Sequence, residues 1–150
     1  MSSKYEWPSE NISPENLLAF AREAAENSYA PYSRFRVGSA ILLENDEVIQ
    51  SCNVENASYS LTICAERAGI ASMISRGKNN PLAIAIAASH EDRDDYMTVP
   101  GLPCGSCRQV LAEFNPDILI VLASENEPEI VSLRELLPRS FTLRPGSAES

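Results

Sequence analysis

Pro81-Leu82-Ala83-Ile84-Ala85-Ile86-Ala87-Ala88 is apolar from end to end. A strand with one wet face alternates apolar and polar residues, so a short unbroken run behind a proline reads as a strand buried on both faces. Such a strand lies inside a sheet covered on both sides, which makes the fold α/β. The chain on either side supplies the covering helices. Upstream, Ile63 to Arg76 reads as a helix closed by Gly77. Downstream, Cys104 to Phe114 reads as another, leading into a second apolar strand at Ile118 to Ala123. Farther out, Phe35 to Leu43 and Val48 to Val54 form a predicted hairpin around the polar turn Glu44-Asn45-Asp46-Glu47. A first helix begins after Ser13, a good N-cap, with Pro14 at its first position. Its apolar face carries Leu17, Leu18, Ala21, Ala24, Ala25 and Tyr29, until Ala30-Pro31-Tyr32-Ser33 stops it. Glu125 to Glu129 reads as a turn, and Ser132 caps a last short helix over Leu133, Leu136 and Leu137. The order α-β-β-α-β-α-β-α describes a mixed sheet with helices on both faces. Residues 1–12 read as an arm without periodicity, 144–150 as a polar, unordered tail, and 1–150 as a single domain.

The 150 residues hold 12 Lys+Arg against 21 Asp+Glu, a formal net charge of −9, with 44% apolar residues. That is a globular composition. No apolar run approaches the ~20 residues that cross a bilayer. The start, MSSKYEWPSE, lacks the basic and apolar regions of a secretory signal, so a cytoplasmic location without membrane partner is expected. The acidic balance argues against nucleic acid as a partner, because neutralising phosphates takes clustered Lys and Arg. Four cysteines, Cys52, Cys64, Cys104 and Cys107, then read as ligands, catalytic thiols or buried residues rather than a disulfide framework.

Cys64-Ala65-Glu66 opens one predicted helix and Pro103-Cys104-Gly105-Ser106-Cys107 opens the next. Two such helix starts can stand side by side at one end of a sheet, bringing three thiolates to one ion. Free amides and the positive end of the helix dipole favour thiolate there. Soft sulfur selects zinc over magnesium or calcium, and three protein ligands leave a fourth position open, the arrangement of a catalytic zinc. Glu66, two residues beyond a ligand, reaches that open position and can move protons. Cys104-x-x-Cys107 alone also fits a redox pair, and all four cysteines together fit a closed structural zinc in a binding module. Cys52, in a predicted strand, reads more simply as a small buried thiol.

A Cys-x-Glu followed downstream by Pro-Cys-x-x-Cys matches the signature of zinc deaminases. With Tyr32-Ser33-Arg34-Phe35-Arg36-Val37-Gly38, Asn53-Val54-Glu55-Asn56-Ala57-Ser58-Tyr59, Cys64-Ala65-Glu66-Arg67, Pro103 to Gln109 and Glu135-Leu136-Leu137-Pro138, the chain from about Tyr29 to Phe141 resembles the small, homotetrameric, free-nucleoside cytidine deaminases. The resemblance implies a three-layer fold around a mixed five-stranded sheet, and one Zn²⁺ per chain held by Cys64, Cys104 and Cys107. It implies Glu66 as proton shuttle, Asn53 and Glu55 on the ribose hydroxyls, Phe35 against the pyrimidine, and Ala65 among the substrate contacts. Ala57, Tyr59 and Phe141 match positions that complete a neighbouring subunit's pocket, and Arg67 an arginine that hydrogen-bonds ligating sulfur. The implied activity is hydrolytic deamination of cytidine and 2′-deoxycytidine in pyrimidine salvage. Deamination of an aminated nucleoside analogue such as blasticidin S is the alternative within the fold. Arg36 and Ser60 depart from the family pattern, and Arg36 is expected to bring charge near the base-binding strand. Asp92, Asp94 and Asp95 make the loop after His90 acidic, which would disfavour a phosphorylated substrate; His90 itself is assigned no role.

Overall fold

Ala83–His90 is the middle strand of a five-stranded sheet in the structure, a computed structural model that describes residues 4–93, 95–96 and 99–143. Along the chain the elements are α1 (Pro14–Ala25), β1 (Phe35–Leu42), β2 (Val48–Cys52), α2 (Ala65–Ser75), β3 (Ala83–His90), α3 (Gly105–Phe114), β4 (Leu119–Leu122), β5 (Glu129–Ser132) and α4 (Leu133–Leu136). The sheet order is β2-β1-β3-β4-β5, with β3 and β4 parallel and every other pair antiparallel.

The Ala-Ile alternation in β3 divides the molecule into layers. Ala83, Ala85 and Ala87 face the cluster built on Leu17, Leu18 and Ala21 of α1, whereas Ile84 and Ile86 face the one containing Ile70, Met73 and Leu111 of α2 and α3. Small residues on the first side let α1 approach closely. At Gly38 of β1, a Cβ would stand 1.9 Å from the Ala21 carbonyl oxygen, so a helix backbone rests directly on the strand there. Ser13 caps α1 in a reciprocal capping box with Asn16, and Ser132 does the same for α4 with Glu135.

Several boundaries differ from the sequence reading. α1 ends at Ala25, because the amides of Glu26, Asn27 and Ser28 turn back three residues and tighten the last turn. Tyr29 therefore leaves the helix face and pairs through its backbone with Asn53 and Glu55, its ring exposed. α2 starts at Ala65, because Ile63 is still bonded to Val54 in an antiparallel bridge. β5 begins at Glu129, where the sequence reading ends a turn, and runs to the cap residue Ser132; four residues at a sheet edge leave too few alternations to register as a period.

The arm is docked from Lys4 onward. Trp7 donates from Nε1 to the Ile12 carbonyl at 2.7 Å and packs on the α1-side core. Ser9 and Asn11 donate to the Asp46 carboxylate at 2.5 and 2.6 Å. Asp46 and Asn45 carry the two positive φ angles, 60° and 59°, that close the β1–β2 hairpin. The expected tail at 144–150 lies outside the described residues.

Candidate active site and metal centre

α2 and α3 bring their N-termini together on one side of the sheet. Cys64 is the N-cap of α2, Cys104 the N-cap of α3, and Cys107 lies in the first turn of α3. Their three Sγ atoms lie within 4.8 Å of one another, Cys104 and Cys107 at 3.5 Å. Thiolates around a tetrahedral zinc at ~2.3 Å stand roughly 3.8 Å apart, so this spacing suits one ion. Cys52, at the end of β2, is outside the group.

The electrostatics also call for a cation. Burial, then the adjacent Glu66 charge, pushes the Cys107 thiol far above the usual thiol range. Burial opposes ionisation of Cys104 too, but hydrogen bonds from the Cys107 amide, the Cys107 and Cys64 thiols and the Ser106 amide together bring it below that range. Arg67 donates to the Thr62 carbonyl at 3.1 Å and reaches the Cys64 sulfur at 3.8 Å, while its buried Nε has no hydrogen-bond partner among the described residues. Three sulfurs, a carboxylate and an inward guanidinium form a charge set most of whose negative excess a dication at the sulfurs would offset. The residues present fit zinc.

Glu66 is 4% exposed, and burial raises its pKa above the usual glutamate value. A carboxyl so placed is a stronger base than an exposed glutamate, suited to accepting and returning a proton. It lines a cavity of about 210 Å³ with Phe35, Asn53, Cys64, Ala65 and Cys104. Val37, Thr62, Ile86, Ala88 and the segment Pro100-Gly101-Leu102 complete the wall. The sequence reading did not single these out, although Val37 shares the Phe35 face by simple strand alternation. Gly101 is needed where it stands, since a Cβ there would lie 2.6 Å from the Ile86 carbonyl oxygen.

Asn53 is 8% exposed and its amide is largely committed. Oδ1 accepts from the Ser28 hydroxyl and from the Val37 amide at 3.0 Å, and Nδ2 donates to the Phe35 carbonyl at 3.0 Å. One N–H remains for a ligand. Glu55 accepts from the amides of Tyr32 and Ser33 at 3.0 and 3.1 Å; a bond from Ser33, partly offset by desolvation, keeps its carboxyl below the usual glutamate range. Glu55 does not line the cavity, and neither do Ala57, Tyr59 and Phe141, all exposed. The Phe35 ring meets His90 edge-on at 5.0 Å between centroids.

Arg36 is a correction. It follows Phe35 on β1 and so turns to the opposite face, where its guanidinium pairs with Glu26 and Glu91 at 3.3 Å each. Its charge is spent beside α1, away from the cavity wall. In the acidic loop, Ser89 bonds Asp95 and ties it back to β3, Asp92 is exposed, and Asp94 lies outside the described residues.

Comparison with known proteins accords with this centre. Residues 12–123 match the family model for the cytidine and deoxycytidylate deaminase zinc-binding region. A cytidine deaminase of Halalkalibacterium halodurans is 43% identical over 128 residues, covering 84% of this chain and 92% of its own. A blasticidin-S deaminase of Bacillus cereus is 27% identical over 135 residues, covering 88% of this chain and 96% of its own. Among solved structures, a cytidine deaminase from Burkholderia pseudomallei superposes with a TM-score of 0.76 at 37% identity, over 87% of this chain and all of that one. With the three-thiol centre and the buried glutamate at its edge, the chain belongs to the cytidine and deoxycytidylate deaminase zinc-binding family.

Proposed function

We propose that this chain hydrolyses cytidine and 2′-deoxycytidine to uridine and 2′-deoxyuridine, releasing ammonia. The observation that carries the reading is a buried Glu66 in the wall of the cavity that also contains Phe35 and two of the three clustered cysteines. Cys64, Cys104 and Cys107 would hold zinc, which when bound supplies the Lewis acidity that makes water a nucleophile near neutral pH. Glu66 takes a proton from that water and delivers it to N3 of the ring as C4 is attacked. It then carries the proton left on the attacking oxygen to the departing amine, so that C4 gains oxygen and loses nitrogen with no change of redox state. Phe35 offers the base an apolar face, and the free Asn53 N–H donates to a ribose oxygen. Glu55, ionised, accepts from a ribose hydroxyl, and Ala65 contributes to the floor. Arg67 draws electron density from the Cys64 sulfur and offsets the negative excess of three thiolates.

The reading extends to one catalytic domain working in a homotetramer with shared sites. A cavity of about 210 Å³ is below the ~300 Å³ at which small-molecule sites begin. Tyr59, Leu61 and Phe141 expose 76%, 62% and 69% of their surface, apolar area of the kind that a neighbouring chain covers. No helix among the described residues is long and apolar enough to cross a membrane. Four free cysteines, three of them thiol ligands, suit the reducing cytoplasm.

One assay tests the function. Purified protein is analysed for zinc and mixed with cytidine, deoxycytidine, CMP, cytosine and blasticidin S, with absorbance and ammonia followed. Zinc at one per chain and turnover of both nucleosides, with CMP slower, is expected. Turnover of blasticidin S alone would move the chain to the analogue-deaminating relatives, and zinc without ammonia release from any substrate would leave a binding module.

A further inference from the structure

Two serines that have no part in the chemistry above meet beneath the catalytic helix. Ser39 of β1 and Ser51 of β2 are cross-strand partners whose Oγ atoms are 2.6 Å apart. Both point at the carbonyl oxygen of Ala65, Ser51 from 2.7 Å and Ser39 from 3.1 Å. Ser39 is fully buried, and a hydroxyl in that position must find a partner. Each hydroxyl has one proton, so the two shortest contacts define the order: Ser39 donates to Ser51, and Ser51 donates to the Ala65 carbonyl. That carbonyl belongs to the first turn of α2 and, with two lone pairs, can take a hydroxyl beside its bond within the helix.

One turn later, Gly69 makes the approach possible. A Cβ there would lie 2.7 Å from the Ser51 Oγ, 2.9 Å from Ile41 Cδ1 and 3.2 Å from the Ser39 Oγ. Gly69 costs the helix interior about 1 kcal/mol relative to alanine. What it gives is direct contact between the helix backbone and two polar groups of the sheet, in a layer that is otherwise aliphatic.

We propose that Ser39 and Ser51 are positioning residues whose hydroxyl relay fixes the first turn of α2 on the sheet, and with it Cys64 and Glu66 on either side of Ala65. The inference rests on the deaminase reading for its kinetic consequence, not for its geometry. A misplacement of ~1 Å at reacting groups costs up to about a hundredfold in rate. The relay also predicts an asymmetry that a general loss of packing does not. Ser51→Ala removes the shorter bond and leaves the carbonyl only the longer Ser39 contact at 3.1 Å, whereas Ser39→Ala leaves the Ser51 bond to Ala65 in place.

The test uses zinc-loaded enzyme and the variants Ser39→Ala, Ser51→Ala, the double variant and Ser51→Thr. Steady-state kinetics on cytidine, zinc content and hydrogen exchange over residues 64–70 are read for each. We expect Ser51→Ala to lower kcat about tenfold or more with KM within about twofold, zinc retained and exchange in the first turn of α2 accelerated. Ser39→Ala should lose less, the double variant at least as much as Ser51→Ala, and Ser51→Thr should recover most of the loss. A Ser51→Ala kcat within twofold of wild type, or a Ser39→Ala loss as large as that of Ser51→Ala, would overturn the relay. Should the wild type release no ammonia, the deaminase reading falls. Hydrogen exchange then decides the relay alone: acceleration in Ser51→Ala but not in Ser39→Ala supports it, and unchanged exchange in both sinks it.

Discussion

Burial raises both Glu66 and Cys107, and the Glu66 charge further opposes ionisation of Cys107, whose thiol in turn favours the carboxylate through a hydrogen bond. A cation at the sulfurs would take up the thiolate charge and leave the carboxyl available for the proposed proton transfer. Replacing the carboxylate by an amide of the same shape should keep the ligands and remove the shuttle. Glu66→Gln is therefore expected to retain one zinc per chain and lose at least about 10²-fold in kcat, checked by metal analysis and ammonia release. Retention of a tenth of the activity would assign proton transfer to another group. Cys52 separates the catalytic from the closed structural centre. Standing apart from the three-thiol group, its replacement by serine should leave zinc stoichiometry unchanged, whereas a metal-depleted Cys52→Ser protein would make it a ligand. The meeting of Cys64, Cys104 and Cys107 with Glu66 beside them was legible in the sequence because it depends on local spacing at two helix starts. The Ser39–Ser51 pair was not legible, since strand partners twelve residues apart meet only once the hairpin register is known.

At the scale of elements, β3 announced itself because burial on both faces leaves no polar residue in the run, and the sheet followed from it. Its Ala and Ile faces became distinguishable only with the layers in place. The arm was harder to read, as it holds by hydrogen bonds to a hairpin turn instead of by period. Bonds from Ser9 and then Asn11 keep the Asp46 carboxyl below the usual aspartate range. A carboxylate depressed in the folded state stabilises it at pH above the unfolded value of about 3.9, and that contribution is lost as pH falls through the lower folded value. Docking of the arm should weaken only within that acidic window. Trp7 is the sole tryptophan, so its fluorescence reports the arm alone. Wild-type emission is expected to shift on acidification below about pH 4, and Asp46→Asn, which tolerates the positive φ, to lack that component. Identical titrations of the two proteins would show that Asp46 does not anchor the arm.

For the whole molecule, the question is what covers the rim of the cavity. Tyr59 meets Tyr32 edge-on at 6.1 Å between centroids yet stays mostly exposed, and Phe141 is held through its backbone by the Gln109 side chain at 2.9 Å. Both are set in place by bonds within the chain while their rings face outward, which is how a residue is presented to another copy. A closed homo-oligomer would return the same surface to every subunit, so each site would contain Glu66 from one chain and Phe141 from its neighbour. Glu66→Gln and Phe141→Ala should each be weakly active alone. Mixed, dissociated and reassembled, they should generate sites with an intact Glu66 and an intact neighbouring Phe141. With random assortment roughly a quarter of the sites recover, and no mixture of separate monomers does so. Activity rising above both parents on reassembly, in a species of about four chains by light scattering, is the expected outcome. Activity equal to the mean of the parents would confine each site to a single chain and assign the exposed aromatics another partner.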